Sequence, residues 1–248
     1  MSQRRKGSIG GAVLKKLVID FRYKPTLRVY ERMDHVGLAL SSDFPDWQRG
    51  PLALEIRNRQ KHRRLQIQFR QSVFDCINPA NEEDEFEVGK KSVKTVCDKV
   101  DIAEFERFAV RFWFLADFKD EYESLVDLVY GKFCTPIERL SPFTEYTLKD
   151  AAYAVDLSRD GWTYAVRIGP MTKDEWFSNV HHERSAFETE PDGETFEKYD
   201  RTIPDRFLYL DVDVRCEGVL HEEARESIRR LRTRTHGIVD GIIQYLQR

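Results

Sequence analysis

The chain has 248 residues, enough for one large α+β domain or two half-size units sharing a core, which excludes a fibre and a mini-scaffold. With 41% hydrophobic and 33% charged residues it falls in the soluble globular class and does not read as a membrane protein. Lys+Arg 40 against Asp+Glu 43 leaves a formal charge of −3, so nucleic-acid binding would need a local basic patch.

Residues 1–11 read as a flexible basic tail carrying Arg4, Arg5 and Lys6, and the Ala12–Lys16 stretch after it is too short and too charged for a signal h-region. Leu17, Ile19, Phe21 and Tyr23 alternate with polar neighbours, which predicts a half-buried strand ending at Pro25. Thr26 opens a helix whose apolar stripe is Leu27, Tyr30, Met33, Gly37 and Leu40. Alternation returns at Leu52, Leu54 and Ile56, breaks over Asn58–Arg64, and resumes at Leu65, Ile67 and Phe69, which predicts a hairpin. An acidic segment, Glu82 to Glu87, leads into a weaker helical pattern at Val93, Val96, Cys97 and Val100.

Phe108, Val110, Phe112 and Phe114 mark the most apolar strand, expected at the centre of a sheet. A helix follows Asp120, with Tyr122, Leu125, Val126, Val129 and Phe133 on one face, and stops near Pro136. Tyr153–Leu157 and Trp162–Ile168 flank Asp160-Gly161, a hairpin turn signal. Thr172 and Glu175 form a capping box ahead of a short helix with Trp176, Phe177 and Val180. A polar stretch, Ser185–Pro204, precedes a strand at Leu208, Leu210, Val212 and Val214. The chain closes with a helix from His221, whose stripe Ala224, Ile228, Leu231, Thr235, Ile238, Ile242 and Tyr245 steps by four and three. It is either laid across the sheet or offered to a partner helix, and Gly237 and Gly241 would permit close backbone approach in either case.

The expected architecture is α+β: two tandem β-α-β-β units forming a mainly antiparallel sheet packed on helices, closed by a C-terminal strand and a long amphipathic helix. The divisions fall at 12–80 for the first unit, 81–106 for an acidic and helical bridge, 107–170 for the second unit, and 171–248 for the polar loop, closing strand and helix, all within one compact domain. The repeated order suggests a tandem duplication, although two chance copies of a common motif give the same pattern.

Period-two arithmetic gathers charge on the strand face opposite the apolar stripe. Arg22, Arg57, Arg70, Arg111 beside Trp113, Arg167 and Arg215 all point that way, and are the candidate residues for a partner or an anion. A solvated outer face with weak cross-strand ion pairs explains the same pattern. Nucleic-acid contacts would come from Lys61, His62, Arg63 and Arg64 in a hairpin tip and from Arg229, Arg230 and Arg232 on the last helix. The acidic runs Glu82–Glu87 and Glu183–Glu197 oppose that reading. No Gly-rich phosphate loop, G-x-S-x-G elbow or H-E-x-x-H is present, and no catalytic residue is assigned.

Asp211-x-Asp213 places two carboxylates on one strand face, a weak alternative metal site needing a third ligand from elsewhere. Pro191-Asp192 with Glu197-Lys198 faintly echoes a nuclease constellation, but in a predicted loop. His181-His182-Glu183 is a poor ligand pair because adjacent side chains diverge. The 4 cysteines, Cys76, Cys97, Cys134 and Cys216, lie far apart with no C-x-x-C pair, so reduced thiols, a cytoplasmic location and no cofactor are expected.

The Asp211-Val212-Asp213-Val214 strand, the closing helix with Leu231 and His236, and the Arg107–Phe112 strand together resemble a sporadically distributed family of conserved prokaryotic proteins of about this length. That family has no established activity. Where it tends to end the central strand in an Arg-Tyr-Ile-Asn-like sequence, Arg111-Phe112-Trp113-Phe114 stands here, so no role of that Asn carries over. Its sporadic distribution implies horizontally moving genes, as in defence or toxin-like systems. The functional expectation is a non-catalytic interaction or accessory subunit, such as one of a bacterial defence or stress system, working through the charged sheet face or the closing helix. The alternative is a nucleic-acid-binding protein or metal-dependent nuclease.

Overall fold

The computed structural model describes residues 9–134, 148–185 and 201–248, with the backbone alone for 180–185. The Arg4-Arg5-Lys6 tail, the Pro136 stop, most of the polar stretch and its Pro191–Lys198 constellation, and the side chains of His181, His182 and Glu183 lie outside the described residues.

The first strand, β1 (Ile9–Arg22), runs into α1 (Arg28–Ala39), followed by β2 (Asp46–Arg49), β3 (Ala53–Asn58), β4 (Arg63–Gln68), β5 (Gln71–Ile77) and α2 (Glu82–Val100). The second half is β6 (Glu104–Phe118), α3 (Tyr122–Phe133), β7 (Tyr153–Arg159), β8 (Trp162–Thr172), α4 (Lys173–Ser185), β9 (Arg206–Leu220) and α5 (His221–Gln247). The strands form one nine-stranded sheet in the order β2-β3-β4-β5-β1-β6-β9-β8-β7, with every pairing antiparallel. The fold is α+β, as the sequence predicts.

β1 and β6 pair at the centre through the Leu17–Phe112 register. From that pair each half proceeds outward in matching order: β1, β5, β4, β3 on one side and β6, β9, β8, β7 on the other. Each unit therefore includes a fourth strand and a second helix. The bridge helix α2 and the closing helix α5 occupy corresponding places, and β2 and α4 are additions to one unit each.

Helices α1, α2, α5 and α3 lie along one face of the sheet. Leu17, Ile19, Phe21, Phe108, Val110 and Phe112 project into this layer and are almost fully buried. α2 is fixed at its start by Asn81, whose side chain accepts from the Glu83 amide at 3.1 Å, and its acidic first turn complements the helix dipole. It lies so close to the sheet that a Cβ on Gly89 would come within 2.6 Å of Ile19 Cδ1. The Asp160-Gly161 turn has positive φ at both residues, 52° and 78°, which is the twist a two-residue hairpin requires. The capping box also forms: Thr172 N donates to Glu175 Oε2 at 2.8 Å and Glu175 N to Thr172 Oγ1 at 3.3 Å.

Three local expectations are corrected. In α1 the buried stripe is Val29, Met33, Val36 and Gly37, and Leu27 is exposed. In α5 the buried line moves one residue on after Thr235, to Val239, Ile243 and Leu246. A four-three stripe follows a 3.5-residue period, and an unsupercoiled helix drifts from it by about 20° per heptad. Gly237 and Gly241 consequently face open space and admit no neighbouring backbone. Finally, β4 ends at Gln68, and Arg70 lies exposed in the bend that leads into β5.

Candidate recognition face

Among the described residues, the face opposite the helix layer is covered at one end only, by α4. There Trp176 packs edge-on against Trp113 and Tyr209, at 5.5 and 6.2 Å between ring centroids, and joins Leu115 and Phe207 in a second small core. The rest of this face carries the charge that strand alternation predicts. Following the registers, one row runs Asp46, Arg57, Arg64, Asp75, Val18, Arg111, Asp213, Ala165 and Asp156 across all nine strands. A neighbouring row holds Lys16, Trp113, Asp211 and Arg167.

Most of these charges are paired within the face. Arg111 grips Asp211 through two bonds, Nε to Oδ1 at 2.8 Å and Nη2 to Oδ2 at 2.7 Å. Arg64 donates twice to Asp75 Oδ2, at 2.8 and 2.6 Å. Arg22 bonds Asp20, Arg57 bonds Glu55, and Arg215 and Arg107 share Asp213. Arg167 is exposed and makes no ion pair among the described residues.

The pairs are layered. The Asp211 side chain is 4% exposed beneath an Arg111 that is 36% exposed, and Asp213 at 21% lies beneath Arg215 at 38%. Carboxylates lie against the sheet and guanidinium edges face solvent. Bonding to Asp211 raises the Arg111 pKa, and burial with the Asp211 charge nearby pushes the Tyr209 phenol up.

At the middle of the face β1 is bulged. Leu14 pairs with Phe114 and Lys16 with Trp113, so Lys15 is an extra residue in the ladder. Asn78, in the left-handed region at φ 52°, holds the bulge: its amide donates to Lys15 O at 2.7 Å and its Oδ1 accepts from Lys15 Nζ at 2.9 Å. The bulge turns Lys16 onto this face, where its Nζ lies 4.3 Å from the Trp113 ring centroid. Arg111 Cζ lies 4.9 Å from that centroid. Burial lowers the Lys16 pKa from 10.5 to about 8 against the opposing pull of Asp75. The Trp113 Nε1 donor is buried without an acceptor among the described residues.

Of the sequence candidates, Arg22, Arg57, Arg111, Trp113, Arg167 and Arg215 share this face, and Arg70 does not. The proposed nucleic-acid residues separate. Arg63 points into the helix layer, where its Nε and Nη2 bond Glu85 of α2 at 2.7 and 2.8 Å, and Arg64 belongs to the open face. Lys61 and His62 stay in the β3–β4 turn. Arg232 bonds Glu83 and overlies Phe86, Arg230 donates to Ser227 Oγ at 2.9 Å, and Arg229 is exposed. Asp211 and Asp213 are held by arginines, and among the described residues no group of three or more His, Cys, Asp or Glu side chains could hold a metal ion. No described helix is long and apolar enough to cross a membrane.

Sequence reasoning missed Lys16, Asp75, Tyr209 and Trp176. Tyr209 was recoverable from its parity with Asp211; Lys16 was hidden by the bulge. No protein-family model matches the chain, and no curated protein matches it in sequence.

Proposed function

We propose that the protein is a non-catalytic recognition or accessory subunit that holds a partner protein against the open face of its sheet. The observation that carries this reading is the layering of charge, with guanidinium donors outward and their carboxylates beneath. Such a surface offers directional hydrogen bonds from arginines already fixed in place, so binding forfeits less side-chain entropy than it would with free arginines. Its near balance of charge suits a protein partner better than a phosphate backbone, which is attracted by net positive charge. Nucleic-acid binding draws less support, because Arg63, Arg64 and Arg232 are engaged by Glu85, Asp75 and Glu83.

Affinity purification from the native host tests the reading. Charge reversal at Arg167 and Arg215 should abolish capture of the partner, whereas reversal at Arg229 and Arg230 on α5 should leave it intact. The opposite pattern would move the interface to the closing helix, and salt-sensitive recovery of nucleic acid alone would replace the reading.

A further inference from the structure

The two-fold correspondence of the halves can be followed residue by residue. An axis through the Leu17–Phe112 pair turns the Lys16–Trp113 pair into Arg111–Val18. Carried outward along the registers, it sets Asp75 in the place of Asp211 and Arg64 in the place of Arg167. Each unit thus has one buried aspartate on its fourth strand, β5 or β9, with two cations available, one from the central strand and one from the outer strand. The units resolve this choice differently. In the first, the outer Arg64 takes Asp75, and Lys16 lies over Trp113. In the second, the central Arg111 takes Asp211 with both carboxylate oxygens. Arg167, directly opposite Asp211 in the ladder, is left exposed with no ion pair among the described residues.

Around Asp211 the cations therefore outnumber the carboxylates on a face that is otherwise near balance. A second observation points the same way: Trp113, between Lys16 and Arg111 and next to Asp211 in the ladder, buries an indole N–H that has no acceptor among the described residues. Donors converge where acceptors are short.

We propose that Arg167, beside the Arg111–Asp211 pair, is a carboxylate-binding subsite that takes an acidic side chain of the partner protein. This rests on the recognition reading above and names the chemistry of its partner. Asp211 remains with Arg111, and the incoming carboxylate supplies for Arg167 the counter-ion that Asp75 supplies for Arg64.

The probe is a hexaglutamate peptide titrated into the full chain while the arginine Nε–H resonances are followed by NMR, with inorganic phosphate as a parallel arm. The expected result is a shift of the Arg167 resonance and at least a tenfold weaker binding in Arg167→Gln, with Arg229→Gln unaffected. Binding unchanged in Arg167→Gln, equal losses in both variants, or no binding to the wild type would overturn the subsite. A stronger response to phosphate than to hexaglutamate would also overturn it, by making the site a phosphate site. A partner still captured by Arg167→Gln but lost on reversal of Arg215 would remove the subsite while leaving the recognition face in place.

Discussion

Replacing Arg111 by alanine removes the guanidinium that holds Asp211 through bonds of 2.8 and 2.7 Å. The Asp211 side chain is 4% exposed beneath Arg111, so its carboxylate is desolvated within the pair. Removing one member of a buried pair costs about 3–5 kcal/mol. Two features reduce the figure here. Arg111 is itself 36% exposed, and Arg167 lies across the ladder from Asp211 in the relation by which Arg64 grips Asp75. Arg111→Ala should therefore cost about 2–3 kcal/mol, because Arg167 moves into the vacated role. Arg167→Ala alone should cost no more than about 0.5 kcal/mol, as for an exposed and unpaired side chain. The double variant should cost about 4 kcal/mol, exceeding the sum of the singles by about 1 kcal/mol. Urea unfolding followed by far-ultraviolet circular dichroism measures all four corners of the cycle. Strict additivity would refute the exchange of partners and with it the two-fold argument.

Arg63→Ala should be worse than either single change, at about 3–5 kcal/mol, because Arg63 and Glu85 are both buried and, among the described residues, no other ion pair to Glu85 stands ready to replace the lost one. A loss below about 1 kcal/mol in the urea midpoint would show that the pair is not sealed. Gly237→Ala and Gly241→Ala should each raise stability by about 0.5–1 kcal/mol, since a Cβ there meets nothing within 4 Å and glycine is a poor helix former. Destabilisation would mean that this side of α5 is covered. Lys16 loses its proton near pH 8 in the folded protein but near 10.5 when unfolded. Between those values the unfolded chain binds more protons, so this group makes stability rise with pH. Lys16→Met lacks that rise, and its stability advantage over wild type should shrink from pH 8 to 10.5; a constant difference would contradict the burial of the charged amine.

The architecture was legible in the sequence wherever one face of an element is dry. Phe108–Phe114 announced the central strand, and Asp160-Gly161 announced its hairpin turn. β2 escaped notice because all four of its residues are exposed at the sheet edge and carry no apolar alternation. β5 escaped because its helix-facing positions are Ser72, Phe74 and Cys76, a weaker signal than a run of branched aliphatics, so the alternation places Arg70 on an overlong β4. The start of β1 was obscured by the bulge at Lys15, which places Leu14 and Leu17 on the same face across an odd interval. For the open face, alternation placed the arginines correctly but could not show which ones find carboxylates, because pairing is decided between strands. Asp75 and Asp211 meet their arginines only through registers set by β4–β5 and β6–β9. Arg63 shows the same limit: one position of parity separates a basic tip from a buried ion pair with α2.

The recognition face is tested most directly by hydrogen exchange on the isolated chain and on the chain bound to its captured partner. The account predicts that the new protection falls on the strand amides of β6, β8 and β9 flanking Arg111, Arg167 and Arg215, with the exposed side of α5 unchanged. Protection confined to α5 around Arg229 and Gly237, with those strands exchanging as in the free protein, would contradict it.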